Sequence, residues 1–551
     1  MGLIWFRWTR WPDCCARSPP SPRWAEMEPE PILAIPPFPG ARAPRFATPG
    51  GEGIGDPAEL LAALASHRVG GCYWGVQTSF PPRGFVLDGT VAPLPGALQW
   101  DPEADPWPLL DAADGVRLPD GDPRALLALA AALPLTLVDH DGGDRDAGQD
   151  DAAHLLAQHL TGWHWQNPFD GRSLSVLDAI ALCGFWRQLI DANRRIHSVL
   201  GIAHWKKPTV TPLLWAGAPV PYGRALATMP NDAAVAIWRT RLPKAQTRAI
   251  AATRAPIIEI EDGFIRSAGL GADCVPPLSI IVDEEGPHFA PGAPSGIERL
   301  LQDGAFPPDL VARARALREA IVAGGLSKYE TGATAPLPRP GGDRRHVLVP
   351  GQVEDDRAVT SGGALPSNLE LLRRARAEAG ADAYLIYKPH PDVLAGHRRG
   401  LIADHDMAAL ADRVETSSPM AALIAMVDEL HVNSSLAGFE ALMRGKRVTV
   451  HGVPFYAGWG LTIDKGPVPP RRTAKRTLDE LVAAALLLYP RYFDPVTGLP
   501  CPAEVVVERL ARGDVPHSDL TMSALVVGRR LQGRVRSTLD RWLGSKAIGG
   551  G

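Results

Sequence analysis

The sequence is poor in cysteine, with six cysteines scattered along a chain of 551 residues. No two of them have the CxxC spacing, so the sequence predicts neither a structural zinc site nor a disulfide framework. Long apolar runs are also missing, and none approaches the ~20 residues of a membrane-spanning helix. The basic, aromatic start lacks the apolar core of a secretory signal. No glycine-rich loop ending in GK[ST] occurs, which disfavours an ATP hydrolase.

An excess of positive charge is missing as well. The chain carries 57 Lys and Arg against 61 Asp and Glu, which gives a formal net charge of −4. A general nucleic-acid binder normally has a basic surface, so the sequence argues against nucleic acid as a partner. The 45% hydrophobic and 21% charged residues are typical of a globular protein, and the length predicts two or three domains.

Composition and periodicity divide the chain into five segments. The proline-rich residues 1–50 are predicted to form a disordered extension. Residues 51–185 are interpreted as a helical region or as a degenerate upstream module. Residues 186–335 and 336–510 are predicted to be two lobes, and residues 511–551 a C-terminal helical tail.

Both predicted lobes alternate short apolar runs with helical stretches. Strand-like runs such as "PIIEIED" in the first and "HVLVPGQ" in the second are followed by segments with helical spacing of apolar residues. This alternation is typical of parallel sheets built from βαβ units. We therefore predict an α/β protein with two Rossmann-like lobes and a cleft between them, into which the loops after the strands point.

A short internal similarity bears on the upstream region. "NPFDGRSLS" (167–175) resembles "DPVTGLPCP" (494–502), and aromatic residues precede both segments. One hypothesis is that the region before 185 contains the remnant of an upstream copy of the later module. The other is that so short a match arises by chance.

The first candidate site is "PIIEIEDGFIRS", in which an apolar strand ends in two acids, Glu261 and Asp262. Gly263 permits a tight turn, and Arg266 follows in the same loop. The carboxylate pair could act as a base or a nucleophile, with Arg266 holding an anionic substrate. The alternative is a solvated acidic turn with an ion pair.

The second candidate site is "YKPHPD", which follows the strand-like "AYLIY". Two prolines, one of them Pro391, restrict the backbone around His390, and Lys388 lies close by in sequence. A rigidly presented His and Lys suit a phosphate group. The alternative is a proline-rich turn with an exposed histidine.

The third candidate site is "HVNSSLAGFEALMRGK", in which Ser434 and Ser435 lie between a strand and a helix. A helix start favours an anion, although plain helix capping needs no ligand. Gln352 and Glu354, in "VPGQVEDD", could face the same cleft. All three sites directly follow predicted strands, and together they supply carboxylates and a phosphate site, as glycosyl transfer from a nucleotide sugar requires.

The stretches "EDGFIRSAGLGADCVPPLSIIVDEEG", "VPGQVEDD", "YKPHPDV" and "NSSLAGFEALMRGKRVTVHGVPFYAGWGLT" together resemble the capsule polysaccharide biosynthesis family of KpsC type. The resemblance covers about 185–510. It implies a GT-B-like fold and a retaining β-Kdo glycosyltransferase. Such enzymes use CMP-Kdo to build the Kdo linker on a phosphatidylglycerol-type lipid at the cytoplasmic face of the inner membrane. The implied partners are the CMP-Kdo donor, a lipid-linked Kdo acceptor and the capsule export machinery.

The resemblance also assigns an acid to the reacting carbon. The anomeric carbon of Kdo bears a carboxylate and has no neighbouring hydroxyl, so an oxocarbenium-like transition state is expected. A close carboxylate stabilises that state or traps it covalently, as retention requires. We predict Asp262 in this role, with Glu261 as second choice and Arg266 holding the Kdo carboxylate.

The leaving group of CMP-Kdo carries a single phosphate. Lys388 and His390 are predicted to neutralise it, helped by Ser434 and Ser435 at the helix start. With these groups present we expect neither a metal nor another cofactor. Gln352 is a cleft candidate without an assigned role, as is Glu354.

The chain departs from the family pattern in one respect. Typical members carry two transferase modules, whereas only one "EDGF" and one "KPHP" occur here. We therefore expect one catalytic centre, and leave open whether it initiates or extends the linker. Two other functions remain as alternatives: a non-catalytic glycolipid-binding component of capsule export, and a transferase using another CMP sugar such as sialic acid.

Overall fold

The structure is a computed structural model that describes residues 30–42, 44–51, 55–77, 84–90, 93–267, 275–327, 336–396 and 398–515. The described residues form two units. The first unit comprises those within Met1–Pro36 and Arg45–Gln188, and the second those within Pro37–Pro44 and Leu189–Gly551. Most of the predicted C-terminal helical tail lies outside the described residues. Among the residues that the structure describes, no helix is long and apolar enough to cross a membrane.

The strands are numbered in chain order. They are β1 (Ala47–Pro49), β2 (Phe85–Asp88), β3 (Leu98–Gln99), β4 (Ala113–Pro119), β5 (Leu135–Val138), β6 (Asp144–Asp146), β7 (Trp163–Gln166), β8 (Ser173–Leu174), β9 (Ile196–Leu200), β10 (Ala234–Ile237), β11 (Ile257–Asp262), β12 (Ser279–Asp283), β13 (His346–Pro350), β14 (Tyr384–Lys388), β15 (Arg413–Val414), β16 (Glu429–Val432), β17 (Arg447–Val450), β18 (Ile463–Asp464), β19 (Pro490–Phe493) and β20 (Pro500–Cys501).

The helices are numbered in the same way. They are α1 (Pro57–His67), α2 (Pro106–Ala112), α3 (Ala125–Ala130), α4 (Gln149–Leu156), α5 (Val176–Asn193), α6 (Lys207–Leu213), α7 (Lys244–Thr253), α8 (Gly296–Asp303), α9 (Pro308–Ala323), α10 (Arg357–Gly362), α11 (Asn368–Ala379), α12 (Pro391–Leu394), α13 (Asp404–Leu410), α14 (Met420–Met426), α15 (Ala437–Met443), α16 (Leu478–Val482) and α17 (Ala503–Arg512).

The first unit contains a five-stranded sheet in the order β3-β2-β4-β5-β6. Strands β2 to β5 run parallel, and β6 pairs antiparallel with β5. The interpretation of residues 51–185 as a helical region is therefore incomplete, because a five-stranded sheet lies among its helices. The missed strands are short, and the longest of them, β4, mixes buried apolar residues with Asp, Gly and Arg, which weakens the strand pattern.

The predicted disorder of residues 1–50 is wrong for the part that the structure describes, while residues 1–29 lie outside it. Strand β1 pairs antiparallel with β7. Phe46 packs edge-on against Trp165 in the first unit, with ring centroids 5.2 Å apart. In the second unit Phe38 packs against Trp215 at 5.1 Å. Large apolar side chains thus bury this segment even though its composition is rich in proline.

The two similar sequence segments adopt the same local structure. Each follows a helix that ends in a π-helical turn, and each forms a hairpin followed by a helix: β7 and β8 before α5, and β19 and β20 before α17. Gly171 and Gly498 occupy the turns at φ of 75° and 76°. Their backbone N–H groups donate to the carbonyls of Asn167 and Asp494 at 2.8 and 2.9 Å. The match supports the hypothesis of a degenerate upstream module, which stays a prediction.

The second unit contains two six-stranded sheets. The sheet of the first lobe has the order β20-β19-β12-β11-β10-β9, with β9, β10 and β11 parallel and the other pairs antiparallel. The sheet of the second lobe has the order β15-β14-β13-β16-β17-β18 and is entirely parallel. Central strands such as β10 and β13 are buried along their whole length, as expected for parallel sheets covered on both faces. The prediction of two Rossmann-like, GT-B-like lobes is confirmed.

The boundary between the lobes differs from the predicted one. The hairpin β19–β20, predicted to belong to the lobe spanning 336–510, joins the sheet of the first lobe through pairing of β19 with β12. The chain therefore returns to the first lobe after completing the second. Sequence order alone does not reveal this return, because strand pairing here connects residues more than 200 positions apart.

Candidate functional site

A cavity of about 660 Å³ lies between the two lobes of the second unit. The loops after the parallel strands of both sheets supply most of its walls, as expected at the carboxyl ends of parallel strands. Its lining includes Lys206, Trp238, Glu261, Asp262, Arg266, Gln352, Arg357, Lys388, His390, Pro391, Ser434 and Ser435. All sequence-predicted site residues except Glu354 therefore meet in one cavity. Within the described residues, no group of three or more His, Cys, Asp or Glu side chains is placed to hold a metal ion.

Asp262 is the last residue of β11 and is held by two cations. Its Oδ1 accepts a hydrogen bond from Lys206 Nζ at 2.9 Å, and its Oδ2 lies 3.1 Å from Arg266 Nε. The side chain is nevertheless 27% exposed. The carboxylate thus has a fixed orientation and still reaches the cavity.

Arg266 was predicted to hold a substrate carboxylate, but its guanidinium is engaged within the protein. The side chain is only 1% exposed. Besides Asp262, it contacts Ser267 Oγ at 2.6 Å and the Val275 carbonyl at 3.0 Å. The structure thus places Arg266 as a support for Asp262 and for the loop that follows β11.

Lys206 is a site residue that sequence reasoning missed. Its Nζ lies 3.4 Å from the centroid of the Trp238 ring and 5.1 Å from that of Trp205. Burial lowers the pKa of Lys206 to about 8, although the Asp262 carboxylate opposes this shift. A signal was available, since "HWKK" follows β9 and "WRT" follows β10, the two parallel neighbours of β11.

Glu261 has different surroundings from Asp262, because successive side chains of a strand point to opposite faces. Its Oε1 accepts a hydrogen bond at 2.6 Å from Arg357, which belongs to α10 of the second lobe and also contacts Glu259 at 3.3 Å. Burial raises the pKa of Glu261 to about 7. Arg357 opposes this shift, while the carboxylates of Asp262 and Glu259 add to it. Glu261 thus changes its charge near neutral pH.

The Lys388 and His390 turn is fixed by backbone contacts. Lys388 ends β14, and its Nζ donates to the Ser418 carbonyl at 2.8 Å. His390 caps α12, where its Nδ1 accepts a hydrogen bond from the Asp392 N–H at 3.1 Å. Because Nδ1 is an acceptor, Nε2 carries the ring proton of the neutral imidazole. Pro391 is the first residue of the helix and also lines the cavity.

The two serines play a different part from the predicted one. The Ser434 N–H donates to Gln352 Oε1 at 2.9 Å, and its hydroxyl accepts from Gln352 Nε2 at 3.3 Å and donates to the Ala358 carbonyl at 3.0 Å. Ser435 Oγ accepts from the Ala437 N–H, the first residue of α15. The predicted contribution of Ser434 to a phosphate site finds no support at its N–H group, because Gln352 already accepts from that group. Gln352 and Ser434 instead connect the loops after β13 and β16.

Glu354 does not line the cavity, so its predicted place in the cleft is wrong. Its Oε1 accepts a hydrogen bond at 2.8 Å from the N–H of Asn368, the first residue of α11. The Asn368 side chain in turn donates to the Gln352 carbonyl at 2.7 Å. Glu354 therefore supports the loop that presents Gln352.

Aromatic side chains pack between the lobes at the cavity wall. Phe264, in the turn after β11, stacks on Phe455 with centroids 4.4 Å apart, and His288 meets Phe264 edge-on at 5.0 Å. Phe455 belongs to the glycine-rich loop after β17. Its ring face is thus used in packing within the protein. Two Rossmann-like lobes that enclose a cavity between them are the features of a GT-B-like protein, and the contact between Phe264 and Phe455 joins the two lobes at the cavity wall.

Comparison with known proteins gives the family. A family model described as "Capsule polysaccharide biosynthesis protein" matches residues 233–492. The chain is 36% identical over 369 residues to "Capsule polysaccharide modification protein LipA" of Neisseria meningitidis, covering 65% of this chain and 51% of LipA. It is 47% identical over 241 residues to "Lipopolysaccharide-processing protein LpsZ" of Rhizobium meliloti, covering 43% and 54%. These matches confirm the resemblance of the motifs to the capsule polysaccharide biosynthesis family. The chain spans about half the length of the curated relatives it matches.

Two solved chains of Thermosulfurimonas dismutans KpsC are also similar. The chain described as its β-Kdo 2,4 transferase is 32% identical, with 57% of this chain and 98% of that chain covered and a TM-score of 0.49. The β-Kdo 2,7 transferase is 30% identical, with 57% and 99% covered and a TM-score of 0.47.

Proposed function

We propose that this protein is a glycosyltransferase that moves Kdo from CMP-Kdo to a lipid-linked acceptor, with retention, and so builds the β-Kdo linker of a capsular polysaccharide. The choice of donor follows the motif resemblance to β-Kdo transferases. The observation that carries the proposal is the pairing in one cavity of Asp262, from the first lobe, with the Lys388–His390 turn of the second lobe. One element supplies a fixed carboxylate, and the other supplies donors for a departing phosphate.

Asp262 is better suited than Glu261 to attack the anomeric carbon. A nucleophile must be ionised, and the pKa of Glu261 near 7 leaves that acid partly protonated at neutral pH. In the first step an Asp262 oxygen bonds to the anomeric carbon, the bond from that carbon to the phosphate oxygen breaks, and CMP leaves with the electron pair. In the second step the acceptor hydroxyl displaces Asp262 and gives up its proton, for which Glu261 is the proposed acceptor.

The second lobe is proposed to bind the leaving group. The Lys388 ammonium and the Nε2–H of His390 donate to the phosphate. Their contacts to Ser418 and Asp392 already orient both side chains, so little conformational entropy is lost when the phosphate binds. Gln352 and Ser434 hold the neighbouring loops in place. With these donors present, neither step requires a metal ion.

The acceptor is proposed to be a phosphatidylglycerol-type lipid, bare or already carrying Kdo. This places the enzyme at the cytoplasmic face of the inner membrane as a peripheral protein, next to the machinery that assembles and exports the capsule. Parallel assays with the Kdo-free and the Kdo-terminated lipid separate an initiating from an extending enzyme.

The proposal is tested by incubating the purified protein with CMP-Kdo and each lipid acceptor and detecting the product by mass. We expect product from the wild type and none from Asp262→Ala. Asp303→Ala is a matched control, since Asp303 ends α8 of the same lobe and does not line the cavity. Absence of product from the wild type with every CMP sugar, together with lipid binding, would support a non-catalytic role. Preference for CMP-sialic acid would contradict the Kdo donor.

A further inference from the structure

We infer that Lys206 is a positioning residue for Asp262, and that Trp238 fixes Lys206 in this role. The inference rests on the proposed function, because it assigns a task to the carboxylate. It concerns a residue outside the motifs that carry the family resemblance.

The sheet order brings the three residues into a row. Strands β9, β10 and β11 are adjacent and parallel, so the loops that follow them emerge at one edge of the sheet. Lys206 lies in the turn after β9, Trp238 directly follows β10, and Asp262 ends β11. The lysine side chain therefore crosses the position of the middle strand to reach the carboxylate, and the indole ring lies beneath its ammonium.

The contact differs from an ordinary surface ion pair. The Lys206 side chain is only 9% exposed. The ammonium is 2.9 Å from Asp262 Oδ1 and 3.4 Å from the centre of the Trp238 ring, so its place is defined by one partner at the end of β11 and another directly after β10. Exposed ion pairs contribute little because both side chains remain mobile in water, whereas this pair is held on one side by an aromatic face.

The charges around the ammonium suit a role in orientation. The charged groups that act on Lys206 are Asp262 and Glu261 of β11, which favour its protonated form, and Arg266, which opposes it. Lys206 and Arg266 each hold a different oxygen of Asp262. Loss of Lys206 removes the cation at one oxygen, and so weakens both the orientation of the carboxylate and the positive charge that favours its ionised form.

The test compares Lys206→Met, Lys206→Arg and the neighbouring control Lys207→Met. Lys207 contacts the Tyr222 ring at 4.5 Å and does not line the cavity. We expect Lys206→Met to lower kcat by roughly 10- to 100-fold, because small displacements of a reacting group are this costly. The affinity for CMP should stay unchanged, since the phosphate donors lie in the other lobe. The acid limb of the pH profile of kcat should move to higher pH by about one pH unit in Lys206→Met. In Lys206→Arg it should return towards the position of the wild type, because the positive charge is restored.

A second measurement does not depend on transfer. The unfolding midpoints of Lys206→Met, Asp262→Asn and the double variant form a cycle, and direct contact predicts a combined loss smaller than the sum of the single losses. Additive losses, or a Lys206→Met enzyme with the kcat and pH profile of the wild type, would overturn the inference. If the losses are non-additive but the wild-type protein transfers no sugar, the contact between Lys206 and Asp262 stands and the proposed function is refuted.

Discussion

The two lobes around the cavity hold their site residues in different ways. In the first lobe Asp262 and Glu261 are held by charged side chains, namely Lys206, Arg266 and Arg357. In the second lobe the site side chains are held mainly by neutral or backbone groups. The backbone carbonyl of Ser418 holds Lys388, the N–H of Asp392 holds His390, and the amide of Gln352 holds Ser434. Lys206 and Glu261, whose pKa values burial shifts towards neutrality, both lie in the first lobe.

This difference separates two tasks. In a partly buried ion pair, the protonation state of the acid depends on the position of its cation. This suits a carboxylate that must form and break a bond. Backbone hydrogen bonds do not change with pH in this range. They suit side chains that must stay rigid while they bind a leaving group of constant charge. Substitutions in the first lobe should therefore change turnover, and substitutions in the second lobe should change affinity for the nucleotide.

The largest effect should separate the two adjacent acids. Asp262→Asn keeps the shape and the acceptor oxygen but removes the nucleophile, so we expect kcat to fall by roughly 10³-fold or more. Glu261→Gln removes only a proton acceptor, for which a loss of about 100-fold in kcat is expected, the lower end of what general bases contribute. Initial rates with CMP-Kdo and the lipid acceptor measure both. The reverse order would assign the nucleophile to Glu261.

The next effect concerns the second lobe. Lys388→Met and His390→Ala each remove a donor to the phosphate, and charge-assisted hydrogen bonds of this kind contribute roughly 1.5–3 kcal/mol, or about 10- to 100-fold in affinity. Titration calorimetry with CMP measures the loss. Lys465→Met is the matched control, because Lys465 pairs with Glu378 on the same lobe and does not line the cavity. An unchanged CMP affinity in His390→Ala would remove the phosphate site from this turn.

A pH experiment examines Glu261, the acid that connects both lobes through Arg357. Its folded pKa of about 7 exceeds the ordinary value of 4.5, so between these pH values the folded state keeps a proton that the unfolded state has lost. Raising the pH from 5 to 8 should therefore lower the free energy of unfolding of the wild type by roughly 1–3 kcal/mol relative to Glu261→Gln. Denaturant titrations at both pH values measure the difference. Parallel behaviour of the two proteins would show that Arg357 keeps Glu261 ionised throughout.

The sequence predicted the strand ends well and the contacts between them poorly. Asp262, Lys388 and His390 were predicted from local motifs, because a pattern of about ten residues is enough to recognise a strand that is followed by polar residues. Lys206 and Arg357 were missed, since they meet their carboxylates across 56 and 96 residues. The roles of Ser434 and Glu354 were misassigned for a related reason, because their partners, Gln352 and Asn368, are fixed only by packing of neighbouring loops.

The smallest effect should come from Gln352, the neutral group that connects two loops of the second lobe. Its amide makes two hydrogen bonds to Ser434, one to the N–H and one to the hydroxyl. Gln352→Ala should cost about 1–2 kcal/mol of stability, because a partly buried N–H group loses its acceptor. CMP affinity should fall only a few-fold, and kcat should change by no more, since no charge is altered. Thermal unfolding and calorimetry on the same samples measure both. A kcat loss as large as that of Lys206→Met would mean that the second lobe also positions the reacting groups, and the division of tasks between the lobes would fail.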